Sequence, residues 1–78
     1  MQPDSARVHI AGRRVRELRK LAGYNLVTFA PLAGITFQYL SQLERGKRKS
    51  VSPEVFARIC DALAIQRDDR RQLIAGAA

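Results

Sequence analysis

The sequence predicts an all-α fold, a compact bundle of five short helices. The chain has 78 residues, which is enough for one domain with a small hydrophobic core. Aromatic residues make up 6% of the chain and tryptophan is absent, so a sheet built on aromatic side chains is disfavoured. Apolar residues recur at helical spacing, and glycines or a serine–proline pair interrupt them. We therefore expect one domain over residues 10–78, preceded by an N-terminal arm over residues 1–9, for which order and disorder both stay open.

The first helix is predicted from about Ile10 to Ala22, because its apolar residues fall on one stripe. Gly23 then fits the left-handed stop that commonly ends a helix. The members of the stripe are Ala11, Val15, Leu18 and Ala22.

The second helix contains a proline that conflicts with a regular helix. If Asn25 is the N-cap, Pro31 lies beyond the first turn and removes the hydrogen bond to the Val27 carbonyl, at a cost of about 3 kcal/mol. If Thr28 is the cap, Pro31 falls in the first turn, where proline is tolerated. We therefore expect this helix to be short, late or kinked, and to end at Gly34.

Serine, threonine and proline mark the start of the later helices. The third helix is predicted to begin at its cap, Thr36, and to run to about Arg45. Ser52 followed by Pro53 is a strong start for the fourth. The fifth should run from about Arg67 to Ala75. The residues expected to face inward on the last two helices are Val55, Phe56, Ile59, Cys60, Leu63, Leu73 and Ile74.

Charge is distributed unevenly along the chain. The segment from Arg7 to Lys49 contains ten basic residues and only two acidic ones, Glu17 and Glu44, which gives it a net charge of +8. From Ser50 onward four basic and four acidic residues balance one another. A polycationic half suggests a polyanionic partner, either nucleic acid or an anionic membrane surface. A merely solvated basic surface is the alternative.

The third helix has an outward face with two amides and no charge. Leu40 and Leu43 lie on the opposite side and should anchor the helix. Such a face suits the major groove of DNA, where glutamine can pair with adenine and a phenylalanine can meet a thymine methyl group. A solvated polar helix is the alternative. The outward residues are Phe37, Gln38, Ser41 and Gln42, and the cationic run that follows, Lys47, Arg48 and Lys49, is placed to meet phosphates.

Two segments resemble the Cro and cI repressor-like helix-turn-helix proteins, the XRE family. The first is Gly12-Arg13-Arg14-Val15-Arg16-Glu17-Leu18-Arg19-Lys20. The second comprises Ala30, Gly34, Ile35, Thr36 and the run from Leu40 to Lys47. The resemblance covers about residues 11–65 and implies the fold of the lambda repressor DNA-binding domain. The chain departs from the family at Leu26, where the family often has a phosphate-binding glutamine.

Carried over residue by residue, the resemblance implies three sets of roles. Phe37, Gln38 and Gln42 would reach base edges, together with Ser41 on the same face. Arg19 and Glu44 would form a structural ion pair between the first and third helices. The resemblance implies contacts to the DNA backbone from Asn25, Arg45, Lys47 and Lys49, and we expect further backbone contacts from Thr36 and Arg48.

These observations predict a sequence-specific regulator that binds double-stranded DNA, a Cro-like phage or bacterial repressor that binds a palindromic operator as a homodimer. The dimer, weak in the absence of DNA, is expected to use Leu73 and Ile74. An antitoxin and a protein-interaction module that has lost DNA binding stay open as alternatives. The sequence has no catalytic set, metal-ligand pattern or phosphate loop, so we expect no enzyme, cofactor, metal, small-molecule ligand or membrane partner, and a cytoplasmic location.

Overall fold

The computed structural model describes residues 7–76. Helices dominate the chain, and one antiparallel pair of two-residue strands joins residues that are far apart in sequence. One α-helix continues directly into a 3-10 helix, so the helices form five segments along the chain, which confirms the predicted all-α bundle. The elements are β1 (Val8–His9), α1 (Gly12–Leu21), α2 (Leu26–Phe29), a first 3-10 helix (Ala30–Ala33), α3 (Phe37–Glu44), β2 (Ser50–Val51), α4 (Pro53–Ala62) and a second 3-10 helix (Arg67–Leu73).

A single core of buried apolar side chains joins every helical segment. Phe29 is its largest member, and Tyr24 packs against it with ring centroids 5.4 Å apart. Ile59 and Cys60 are the fully buried residues of α4, whereas Val55, Phe56 and Leu63 are half-buried around the core. The buried apolar residues are Ile10, Val15, Phe29, Ala30, Ala33, Leu40, Leu43, Val51, Ile59, Cys60 and Leu73.

The second helical segment is short, as Pro31 predicts. Asn25 caps α2: its Oδ1 accepts from the Thr28 N–H at 2.8 Å, and the Thr28 hydroxyl accepts from the Asn25 N–H at 3.0 Å. After Phe29 the backbone tightens into a 3-10 helix with Pro31 in its first turn, where the missing N–H does no harm. The segment therefore starts at the earlier of the two predicted caps. It accommodates the proline by changing from an α-helix to a 3-10 helix.

The structure of the N-terminal segment differs from the predicted arm and from the predicted start of the first helix. Val8 and His9 form β1, which pairs with Val51 and Ser50, so they are not part of a free arm. The Ile10 N–H donates to the Lys49 carbonyl at 3.0 Å, and α1 therefore begins at Gly12 rather than Ile10. The physical reason is the alternation of apolar Val8 and Ile10 around exposed His9, which suits an extended strand. Residues 1–6 of the predicted arm lie outside the described residues.

The structure of the last segment differs from the predicted fifth helix and from part of the predicted dimer surface. It is a 3-10 helix that ends at Leu73, because Ile74 pairs with Ile10 and the Ala75 N–H donates to the His9 carbonyl at 2.8 Å. Leu73 is 0% exposed in the single chain. The prediction that Leu73 offers surface to a second protomer is therefore wrong, since the core already covers it; Ile74 is half-buried.

Helices α1 and α3 cross closely, and a buried ion pair fixes the crossing. Arg19 donates from Nε to Oε2 of Glu44 at 2.7 Å and from its second guanidinium nitrogen to Oε1 at 2.9 Å. A third hydrogen bond reaches the Tyr24 carbonyl at 2.8 Å. Both side chains are nearly inaccessible, 7% and 4% exposed. The hydrogen bonds that Arg19 donates to the Glu44 carboxylate raise the pKa of Arg19 above its ordinary value, against the opposing effect of burial. The pair implied by the sequence resemblance is thus present and locks α3 onto α1.

Candidate nucleic-acid interface

Helix α3 presents the outward face that the sequence predicts. Thr36 caps the helix by accepting from the Tyr39 N–H at 3.0 Å. Leu40 and Leu43 are buried in the core. On the other side Gln38 and Gln42 are exposed, Phe37 is 48% exposed and Ser41 is half-buried. Burying the leucine side leaves the amide side of the helix at the protein surface.

The four residues predicted to read bases line one open depression between α2 and α3. Its volume is about 260 Å³, and the remaining lining comes from Leu26 and Arg45. No acidic side chain lines it, and both amides and the arginine can donate hydrogen bonds into it. We call this surface, lined by Leu26, Phe37, Gln38, Ser41, Gln42 and Arg45, the reading depression.

Leu26, the departure from the family pattern, occupies a defined position in this site. It is the first residue of α2, is half-buried, and lines both the reading depression and a neighbouring one of about 190 Å³. An isobutyl group gives the depression an apolar wall where a glutamine would give it a hydrogen-bond donor. The phosphate contact that a glutamine makes there in the family therefore has no counterpart at Leu26.

Helix α1 brings further cations to the edge of the site, which the sequence reasoning did not assign. Arg16 and Arg45 line the neighbouring depression together, beside the buried ion pair of Arg19 and Glu44. Arg13 and Lys20 lie around Arg16 on the same face of α1, and all three are exposed. Their spacing of three and four residues is the signal that could have found them, since it places side chains on one helix face.

The basic loop, Lys47–Lys49, folds back onto the end of α3. The Lys47 and Arg48 N–H groups both donate to the Gln42 carbonyl, at 2.9 and 3.1 Å. Pairing between Ile10 and the Lys49 carbonyl then holds the other end of the loop. All three side chains are exposed. Two of them project without a hydrogen-bond partner within residues 7–76, whereas Arg48 contacts Gln42 and Tyr39.

Two of the predicted backbone-contacting residues also cap helices in the structure. The side-chain oxygens of Asn25 and Thr36 accept backbone N–H groups, at 2.8 and 3.0 Å. Both residues are exposed beside the site, and the Asn25 amide nitrogen keeps its two hydrogens for another acceptor. Their proposed contacts with a DNA backbone therefore add to a structural role.

Metal binding, thiol chemistry and membrane insertion were considered for the part of the chain that the structure describes. Within residues 7–76 no three His, Cys, Asp or Glu side chains lie close enough to hold a metal ion. Burial raises the pKa of the Cys60 thiol, which keeps it protonated and unreactive in the core. None of the helices in this range has the length and apolar character needed to cross a membrane.

The fold and the site together define a helix-turn-helix protein. Its first helix is the segment 26–33, its turn passes through Gly34, which has φ of 72°, and its second helix is α3 with the reading depression along it. The face of α3 that carries Leu40 and Leu43 is buried in the core. The opposite, exposed face carries neutral hydrogen-bonding side chains with cations around them. This is the arrangement in which a helix enters the major groove.

Comparison with known proteins agrees with this class. The model of a family described as a helix-turn-helix domain matches residues 10–73. An uncharacterised HTH-type transcriptional regulator of Bacillus subtilis, YazB, is 40% identical over 60 residues, which are 77% of this chain and 86% of that protein. The chain therefore belongs to the XRE-like helix-turn-helix family, whose members are transcription regulators rather than enzymes.

Two solved structures share the fold. The restriction-modification controller protein C.AhdI from Aeromonas hydrophila has a TM-score of 0.67 and 36% identity, covering 76% of this chain and 88% of that one. SinR, a master regulator for biofilm formation solved in complex with DNA, has a TM-score of 0.68 and 29% identity, covering 76% and 94%. Both likenesses extend over most of each chain, so they concern the whole domain.

Proposed function

We propose that this protein binds a specific sequence of double-stranded DNA by placing α3 in the major groove, and that it represses transcription from that site. The observation that carries the proposal is the reading depression, in which Phe37, Gln38, Ser41 and Gln42 meet on one exposed face. The two amides and the hydroxyl can hydrogen-bond to base edges, and the phenylalanine ring can contact a thymine methyl group. The SinR structure with DNA supports the proposal, since that protein shares the fold.

The surrounding cations support binding to a duplex as opposed to a small ligand. Arg16 and Arg45 lie on the α1 side of the reading depression, and the basic loop lies at the end of α3. Cations beside a recognition helix can contact the phosphate backbones that border a major groove. Lys47, Lys49 and Arg45 supply these contacts in the proposal, together with Asn25 and Thr36.

Selection of bound duplexes from a random pool tests the proposed function. We expect the selected molecules to share one motif, and we expect affinity for that motif to fall steeply as salt concentration rises, because phosphate contacts release counterions. A pool that shows no enrichment, together with binding that is insensitive to salt, would contradict DNA recognition. That result would favour the alternative in which the domain contacts another protein.

We propose further that the protein occupies a palindromic operator as a homodimer. Helix α3 has eight residues and is about 12 Å long, so one protomer reads only a few base pairs. A two-fold pair would read half-sites about 10–10.5 base pairs apart, or a multiple of that distance. The pairing surface is placed in the electrically neutral half, from Ser50 onward, because two copies of the +8 half would repel each other. Ile74 stays a candidate for it, whereas Leu73 does not.

Sedimentation of the complex with a selected palindrome tests this assembly. We expect two protomers per duplex at saturation, and a largely monomeric free protein if pairing is completed on DNA. One protomer per palindrome at saturation would contradict the dimer. A Leu73→Asp variant cannot serve here, because a carboxylate at a position that is 0% exposed would unfold the domain whatever its assembly.

A further inference from the structure

Arg48 makes contacts that a phosphate-binding side chain does not need. Its Nε donates to Oε1 of Gln42 at 3.2 Å, and its guanidinium carbon lies 4.3 Å from the centre of the Tyr39 ring. The main chain ties the same residues together, since the Arg48 N–H also donates to the Gln42 carbonyl at 3.1 Å. The ring of half-buried Tyr39 supports the guanidinium, and the guanidinium in turn holds the end of the Gln42 side chain.

This contact fixes which way round the Gln42 amide lies. The Nε–H of arginine can only donate a hydrogen bond, so the atom of Gln42 that faces it must be the oxygen. The amide nitrogen, with two hydrogens, is left to point away from Arg48. Gln42 lines the reading depression, where its amide nitrogen is free to donate, whereas one lone pair of its oxygen already accepts from the arginine.

The fixed orientation changes the base that suits Gln42. A glutamine that reads adenine must accept from N6 and donate to N7, which needs oxygen and nitrogen side by side toward the base. Guanine presents two acceptors in the major groove, N7 and O6, and therefore matches a side chain that offers donors. Resting on the proposed function, we infer that Arg48 is a positioning residue that turns Gln42 into a reader of guanine. This replaces the phosphate role expected for Arg48 and the adenine expected opposite Gln42.

Gln38 provides an internal comparison on the same helix. Its side chain has no hydrogen-bond partner within residues 7–76, so its amide is free to rotate and to suit either purine. The two glutamines are therefore expected to differ: the preference read by Gln42 depends on Arg48, and the preference read by Gln38 does not.

Selection from a random duplex pool with the full chain and a set of single variants tests the inference. Gln42→Ala first identifies the base pair that Gln42 reads, as the position whose preference disappears. At that position the wild-type protein should prefer guanine over adenine about fivefold, because guanine presents the O6 acceptor where adenine presents the N6 donor. Arg48→Ala should bring that ratio toward one while the position read by Gln38 keeps its preference.

Matched variants separate positioning from charge. Lys47→Ala removes a neighbouring cation of the same loop and should weaken all duplexes alike without changing any base preference. Tyr39→Phe keeps the ring beneath Arg48 and should retain the wild-type preference, whereas Tyr39→Leu removes the ring and should reduce it. A thermal melt of each variant shows that it is folded.

Three results would overturn the inference. They are adenine at the position read by Gln42, no position that responds to Gln42→Ala, and an Arg48→Ala variant that behaves as Lys47→Ala does. In all three the wild-type protein still selects a motif, so the proposed function survives. If the wild-type protein selects no motif, the proposed function itself fails, and this inference fails with it.

Discussion

Arg19→Ala is expected to lower the free energy of unfolding by about 3–5 kcal/mol, because it leaves the Glu44 carboxylate buried without its partner. The Glu44 side chain is 4% exposed and accepts both of its hydrogen bonds from Arg19. The substitution also removes the hydrogen bond to the Tyr24 carbonyl. Native domains have a total stability of about 5–15 kcal/mol, so the variant should lose a large fraction of its stability and melt at a clearly lower temperature.

Chemical denaturation of Arg19→Ala beside Arg14→Ala measures this effect. Arg14 is a suitable control because it lies on the same helix and also forms an ion pair, with Glu17 at 3.2 Å, but its side chain is 46% exposed. An exposed pair contributes about 0–1 kcal/mol, so Arg14→Ala should be nearly neutral. Equal losses in the two variants would show that burial of the Arg19–Glu44 pair does not govern its contribution.

Gly12→Ala is expected to cost about 3 kcal/mol or more, at or above the upper end of ordinary overpacking. A Cβ at Gly12 would overlap the carbonyl oxygen of Leu43, which is a main-chain atom and cannot rotate away. That carbonyl is also held at the end of α3, where it accepts from the Gly46 N–H at 3.2 Å. Helix α1 would have to move off α3, which would disturb the Arg19–Glu44 pair as well. Alanine is otherwise the better helix former, so the expected loss has a steric origin.

Gly23→Ala is the control for this prediction. Gly23 follows the other end of α1, and a Cβ there would meet nothing within 4 Å. Its φ of 88° is costly for alanine, so a loss of about 1–2 kcal/mol is expected from backbone strain alone. The result that would contradict the steric account is a Gly12→Ala variant as stable as the wild type, or no less stable than Gly23→Ala.

Local signals in the sequence predicted most of the helices and the face of α3. Capping residues act within one turn, which is why Asn25, Thr36 and Ser52 predicted helix starts that the structure contains. The outward face of α3 followed from helical spacing, since Leu40 and Leu43 share one side. Pro31 predicted an irregular helix because its missing N–H is itself a local property.

What the sequence did not predict depends on contacts between distant segments. The pairing of residues 8–10 with residues 49–51 and with Ile74 converted a predicted arm into a strand, and it also buried Leu73. The alternation of Val8 and Ile10 hinted at a strand, but it covers too few residues to identify a partner. The contact between Arg48 and Gln42 depends on how the basic loop turns back, which no helical spacing encodes.

The sequence resemblance supplied one contact that spacing could not. Arg19 and Glu44 lie 25 residues apart, and only the family pattern connected them before the structure was known. The reading depression combines both kinds of information. Helical spacing placed four of its residues together, and Arg45 follows one turn after Ser41, whereas Leu26 joins them through the packing of α2 against α3.

The binding of Gln38→Ala to two duplexes tests most directly the claim that α3 reads base sequence. Affinity is measured at one salt concentration for the selected motif and for a scrambled duplex of equal length and composition. We expect a loss of about 1–3 kcal/mol on the motif and little change on the scrambled duplex. Gln66→Ala, at an exposed glutamine in the neutral half, should change neither. Equal losses of Gln38→Ala on both duplexes would contradict the claim.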